Sequence, residues 1–370
     1  MPKYRLKRLW WFLLLPCSFF LKLWAKQNPE SVEQIYSRTI YPIISSAMSL
    51  ITGFVNFSLA ELIIVFSVVF LIFYIILFIM KISQTHKEKR KYQIYLLVVN
   101  IGLVITVAVF LFNILCGLNY YRVRPADSMG LDVAAVTEDQ IYEMASQLIT
   151  DANTLREQLR EGPDGTMKLS LSKEETLFES QRTLNDLSQM SDLKRLSGAY
   201  AQPKGVRFSG LLSSFGVNGF FFPYTYEANI NMDLPDYMLP SSMIHEQIHV
   251  RGYMREDDAN FIAYLVSMQS SNPDFQYSAT MMVLEHAIYL MEEAEDPRAD
   301  ELKAQLSPEV KADMIAGQKY VDDHRGLFFA IGQGVTNIFL KFSNQEKGVE
   351  TYQEVVRMVA AYDQKQKTAA

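Results

Sequence analysis

Cysteine is almost missing from this 370-residue chain: there are two, Cys17 and Cys116, and both lie inside apolar runs. The rest of the chain therefore has no disulfide framework, no thiolate metal site and no cysteine nucleophile. Histidine is scarce too, with five residues. Acidic residues outnumber basic ones, 41 to 35, for a formal net charge of −6. No basic stripe beyond the flanks of the apolar runs is large enough to hold phosphates, which excludes a nucleic-acid partner. There is no internal repeat and no low-complexity tract, which excludes repeat architectures and long disordered tails.

What the chain has in plenty is apolar sequence, concentrated in its first third. Leu62 to Met80 is unbroken and Ile94 to Leu118 is interrupted only by Asn100 and Asn113. At 1.5 Å per residue each is long enough to cross about 30 Å of hydrocarbon. Leu9 to Ala25 is shorter and carries Pro16 and Lys22. No small-x-small cleavage site follows it, so it reads as a retained helix rather than a signal peptide. Residues 1–118 are thus expected to form a membrane region with helices at about 9–25, 60–80 and 94–118. The basic segments MPKYRLKR and KISQTHKEKRKY belong on the cytoplasmic side. That orientation puts the N-terminus inside and residues 119–370 outside a cell membrane. The intervening residues 26–59 have helix-like apolar spacing, which suits a segment lying along the bilayer or against the outer domain.

The outer portion reads as mainly α-helical with a small sheet. Thr137 with Gln140, and Ser172 with Glu175, have the spacing of capping boxes, and GPDGT at 162–166 is a turn. Glycines and aromatics between 204 and 235 suggest two or three short strands. Helical periodicity returns near Leu239 and runs to about Gln364, with breaks at 270–274, 295–300, Pro308 and 343–348.

Two of the five histidines stand four residues apart in HEQIHVRGYMREDDANFIAYL, residues 245–265. On a helix, His245 and His249 share one face and can grip one ion. Glu246 sits about 100° around the helix, near that ion but angled away, as a general base toward water would be. Imidazole ligands suit zinc. Gly252 can turn the chain just after the second histidine. A new helix then opens with Glu256, Asp257 and Asp258. Glu256 could complete a His, His, Glu set, with the two aspartates as competing ligands. Asp258 or Asn260 could orient a ligand histidine through its other ring nitrogen. Upstream, FFFPYTYEANINMDLP reads as a strand, and Glu227, Ala228 and Asn229 are the residues expected to pair with an extended substrate. His286, His324, Tyr352, Tyr224 and Arg251 are candidates for stabilising negative charge in a transition state, with Tyr352 the first to test.

FPYTYEANIN, the HEQIH block, LNYYR after the third apolar run and GVETYQEVV near the end resemble a bacterial membrane-protein family, DUF3810, over nearly the whole chain. That family in turn resembles the zincin-type metallopeptidases. Within them, H-E-x-x-H followed by E-x-x-A-D/N is similar to the glutamate-zincin pattern and maps the third ligand onto Glu256. H-E-x-x-H-x-x-G also resembles the start of the metzincin pattern, whose third ligand would fall on Arg255, a residue that cannot bind zinc. The interval from His249 to Glu256 is short for a glutamate-zincin.

The expectation is therefore a membrane-anchored, zinc-dependent endopeptidase acting on peptide or protein outside the membrane. The alternative is an external sensor, binding or scaffold domain in which zinc is structural. A transporter is disfavoured by the near absence of charge within the spans.

Overall fold

The computed structural model describes residues 7–185, 193 and 196–369. Among the described residues, three helices are long and apolar enough to cross a membrane, spanning Arg8–Gln27, Leu59–Gln84 and Lys87–Leu115. The first consists of a tight turn followed by α1 (Leu14–Gln27). A π-helical stretch, Val32–Ile40, then runs into α2 (Tyr41–Thr52). α3 (Leu59–Gln84) starts at Ser58, whose hydroxyl accepts from the Glu61 amide. α4 (Lys87–Leu115) begins seven residues before the expected start at 94 and stops three before the expected end at 118. Its basic opening, Lys87 to Lys91, is hydrophilic yet rich in good helix formers, so the helix outruns the apolar run. Its far end gives way to the turn Gly117–Tyr121.

The segment between the first two spans packs inward. Arg122 forms a two-pronged ion pair with Glu33 at 2.9 Å, and both are buried. Tyr36 donates to the Ile114 carbonyl and Ser37 to Asn119.

After α4 come α5 (Glu138–Arg156), the hairpin β1 (Arg160–Glu161) and β2 (Met167–Lys168), and α6 (Lys173–Asn185). Both capping boxes are present, Thr137 with Gln140 and Ser172 with Glu175. The second sheet holds β3 (Lys204–Gly205), β4 (Gly219–Phe222) and β5 (Glu227–Ile230), in the order β3-β5-β4. β4 pairs antiparallel with β5, and β3 runs parallel to it. Between β3 and β4 lies α7 (Ser209–Ser214).

The remainder is helical: α8 (Leu239–Val250), α9 (Glu256–Met268), α10 (Pro273–Glu293), α11 (Arg298–Gln305), α12 (Pro308–His324), α13 (Leu327–Phe342) and α14 (Glu354–Ala369). α8 and α9 are buried along nearly their whole lengths, inside a core that also draws on α5, α10 and α14. The protein is thus mainly α-helical with two small sheets, as expected.

The strand assigned to substrate needs correcting. Glu227, Ala228 and Asn229 lie on β5, the middle strand, and are buried. The Glu227 carboxylate instead accepts from the Leu59 and Ala60 amides at the start of α3 and pairs with Lys204. The edge strand beside α8 is β4. Sequence pattern could not tell which of the two lies at the edge, because both strands are only four residues long and the edge is set by a third strand.

Candidate metal centre

α8 carries the histidine pair and ends where its sequence says it should. Gly252 adopts φ +92°, open to glycine at little cost, and the Tyr253 amide closes back on the Ile248 carbonyl. A Cβ at residue 252 would lie 2.9 Å from the Tyr41 ring, so the turn is also a close packing point. Tyr41 is fully buried there, and its hydroxyl donates to the His249 carbonyl at 3.2 Å.

The sharp turn swings α9 back against α8. Its first turn carries Glu256, Asp257 and Asp258, where the helix dipole favours negative charge. The Glu256 amide donates to Gln345 at 3.0 Å. Arg124 clamps both aspartates, bonding Asp258 at 3.0 and 3.1 Å and also Asp257. Asp257 and Asp258 are therefore engaged with arginines and are not ligand candidates.

Glu256 is the carboxylate that reaches the histidines. Its Oε2 lies 3.1 Å from His245 Nε2 and 3.6 Å from His249 Nε2. The two imidazoles stand 4.6 Å apart, nearly perpendicular. One ligand atom from each of the three residues falls within 4.8 Å of the others. His249 Nδ1 donates to the Tyr253 carbonyl at 2.6 Å, which turns Nε2 toward the cluster. Two imidazole nitrogens and one carboxylate oxygen converging this way fit the donor set of a zinc site with an open position. Burial alone would lower the His249 pKa, but the facing Glu256 carboxylate raises it to about 9. Burial likewise opposes ionisation of Glu256, yet His249 and His245 hold its pKa well below the usual range.

Glu246 lies outside this set of three. It is buried against β4, where the Phe221 amide donates to its carboxylate, and its Oε2 has no hydrogen-bond partner among the described residues. Burial raises its pKa, although the two histidines act in the opposite sense. Gly219 makes this approach possible: a Cβ there would come within 2.7 Å of Glu246 Cγ.

His245, Glu246, His249 and Glu256 line one cavity of about 890 Å³, together with Gly219 and Phe221 of β4. His286 and Tyr224 line it as well, but their donors are already used. His286 Nδ1 faces the Met282 carbonyl at 2.7 Å, and burial lowers its pKa, so the neutral ring offers only an acceptor at Nε2. The Tyr224 hydroxyl donates to the Ala108 carbonyl of α4. Arg251 is turned away, donating to the Leu196 and Gln247 carbonyls and lying over the Tyr200 ring. His324, the last residue of α12, contacts Asp233 and does not line the cavity. Tyr352 sits on the turn Gly348–Gln353, with its side chain outside the described residues. Asp258 does not orient a ligand histidine, because Arg124 holds it and the Tyr253 carbonyl has that role for His249. Asn260 lines the cavity. Sequence reasoning missed Gly219, Phe221 and Tyr253. The glycine-rich GVNG before β4 was a usable signal for the first, whereas a backbone carbonyl or amide leaves none.

Fold and site together define a mainly helical protein with three membrane-length helices and a buried His-His-Glu cluster beside a sheet edge. The family described as "Protein of unknown function (DUF3810)" matches residues 36–360, and the chain belongs to it. Neither the curated proteins nor the solved structures contain a match.

Proposed function

We propose that this chain is a membrane-anchored zinc metallopeptidase that hydrolyses peptide bonds outside the cytoplasmic membrane. One observation carries the reading: ligand atoms of His245, His249 and Glu256 converge within 4.8 Å of one another, beside a buried Glu246 that is not one of them. A zinc ion held there would supply Lewis acidity toward a water and a substrate carbonyl. Glu246 would accept the proton of the attacking water at Oε2 and return it to the leaving amine, a role that its raised pKa suits. The Phe221 amide keeps that carboxylate facing the cavity. β4, free of strand pairing on its outer side among the described residues, offers main-chain groups to an extended peptide. The basic segments before the first span and around Lys87–Lys91 favour the cytoplasmic side. With three crossings, the cavity then faces outward.

The test uses the full chain in detergent, with metal content measured by mass spectrometry and cleavage of a broad peptide library. The expected result is one zinc per chain in both wild type and Glu246→Gln, with hydrolysis only in wild type. Zinc without any Glu246-dependent cleavage would overturn the proposal in favour of a zinc-containing binding domain.

A further inference from the structure

α13 (Leu327–Phe342) is a 16-residue helix with one charged residue, Lys341. It is too short to cross a bilayer, which takes about 20 residues. Its two faces differ sharply. Gly332, Gln333, Thr336 and Leu340 point inward, and the last three line the cavity of the candidate metal centre. The opposite face shows Leu327 at 75%, Val335 at 62% and Ile338 at 71% exposure, with Phe328, Ile331 and Phe342 also exposed. An apolar stripe this long, uncovered by the described residues, marks a docking surface.

The neighbours of α13 identify what covers that stripe. Phe339 meets Phe112, near the outer end of α4, with ring centroids 5.8 Å apart. Lys22 of α1 lies over the Phe342 ring at 3.6 Å. At the other end of the helix, Phe328 touches Phe215, which follows α7. Phe208 and Leu211, at and just before α7, are exposed as well, and the Phe208 amide bonds Glu61 in the first turn of α3. The apolar stripe is therefore continuous with the ends of all three membrane-length helices, on the side where the cavity lies.

We infer that α13 lies in the plane of the membrane, its apolar stripe seated in the lipid of the leaflet nearest the cavity and its inner face walling the site. Its length, lack of charge and two-faced pattern are those of an interfacial helix. The cavity mouth then stands at headgroup level, where it meets polypeptide at the membrane surface before polypeptide free in solution. This placement does not depend on the peptidase reading.

The experiment places nitroxide labels on the full chain in phosphatidylcholine vesicles, in a Cys17→Ser, Cys116→Ala background. Single cysteines go in as Val335→Cys, Ile338→Cys, Val69→Cys in α3 as a lipid reference, and Gln318→Cys on exposed α12 as a water reference. Collisions with oxygen and with a water-soluble nickel chelate are then compared. Labels at 335 and 338 should favour oxygen, as at 69, while 318 favours nickel. A label at 338 that behaves like 318 would overturn the inference. So would one shielded from both reagents, which would indicate a second copy of the chain on that face. If the cysteine-free background does not fold, Ile338→Trp in the native chain gives the same answer. Quenching by dibrominated phosphatidylcholine, read as the difference from the parent chain, should rise, and no added quenching would refute the lipid seat.

Discussion

Gly219→Ala is a small change placed where the site has no room for it. The added methyl would lie 2.7 Å from Glu246 Cγ, and 2.9 Å from both Glu246 Oε1 and the Asn229 carbonyl oxygen. Ordinary contact begins near 3.4 Å, so about 0.7 Å must be found. The Asn229 oxygen is backbone of the middle strand and cannot yield alone. Glu246 is buried and held by the Phe221 amide, so either it rotates or β4 lifts from β5. Overpacking of this kind costs about 1–3 kcal/mol of stability. If Glu246 is the base proposed above, displacing it by most of an ångström should lower kcat by about 10- to 100-fold. The three ligand side chains come from α8 and α9 and stay in place, so zinc content should not change. The assay pairs metal analysis with kcat and KM on a peptide cleaved by wild type. Full activity with full zinc in Gly219→Ala would refute the placement of Glu246 against β4, and loss of zinc would refute the separation of base from ligands.

The ligand set makes a contrasting prediction. His245→Ala, His249→Ala and Glu256→Ala should each lose stoichiometric zinc, whereas Asp258→Asn should keep it and lower the melting temperature by weakening the Arg124 clamp, as metal analysis beside thermal melts would reveal. In chain stripped of metal, His249 has its pKa raised to about 9 by Glu256, so their ion pair is fully stabilising below the ordinary histidine value near 6.5 and is lost as pH rises through 9. Glu256, with its pKa depressed, adds stability above its ordinary value near 4.5 that fades as pH falls below it. The melting temperature of stripped chain should therefore pass through a maximum between those limits. A Glu256→Gln variant should flatten the alkaline limb, and an unchanged limb would show that the pair does not form.

How much of this was legible in the sequence depends on distance along the chain. His245, Glu246, His249 and Glu256 fall within twelve consecutive residues. Helix periodicity and one glycine with positive φ are enough to bring such a set together, and both can be read locally. The strand assignment failed because β4 and β5 are adjacent and equally short, and neither strand's own residues show which one is at the edge. Which one lies at the edge is decided by β3, more than a dozen residues upstream, and by α3, which Glu227 caps. The Leu196 carbonyl that takes Arg251 and the arginine that takes Asp258 were out of reach for the same reason: a buried arginine or aspartate goes to the nearest opposite charge or carbonyl in space. Arg124, which occupies Asp258, lies 134 residues away. α13 looked like one more helix of the outer region, since nothing local says that its apolar face is left uncovered.

The division of the chain at residue 118 conceals a dependence that can be tested by truncation. The His249 carbonyl is held by Tyr41, and the turn that reverses the chain between the two ligand helices packs on the same ring. Arg122 donates to the Gly252 carbonyl in that turn at 2.9 Å while its other nitrogens are neutralised by Glu33. Residues 26–58 therefore buttress the turn behind the candidate metal centre, although they lie in sequence between two membrane-length helices. Removing them would leave Arg122 buried without its carboxylate, a loss of about 3–5 kcal/mol, and would open a hole where Tyr41 stood. A shortened chain holding residues 119–370 alone should then bind zinc poorly and melt early, even though it contains every proposed ligand. Glu33→Gln in the full chain isolates the electrostatic part: it should lower the melting temperature and weaken zinc retention, while Arg38→Gln, which alters the exposed partner of the same carboxylate, should do neither. If residues 119–370 alone held zinc as tightly as the full chain, the membrane front end would be only an anchor and the coupling through Tyr41 and Arg122 would carry no weight.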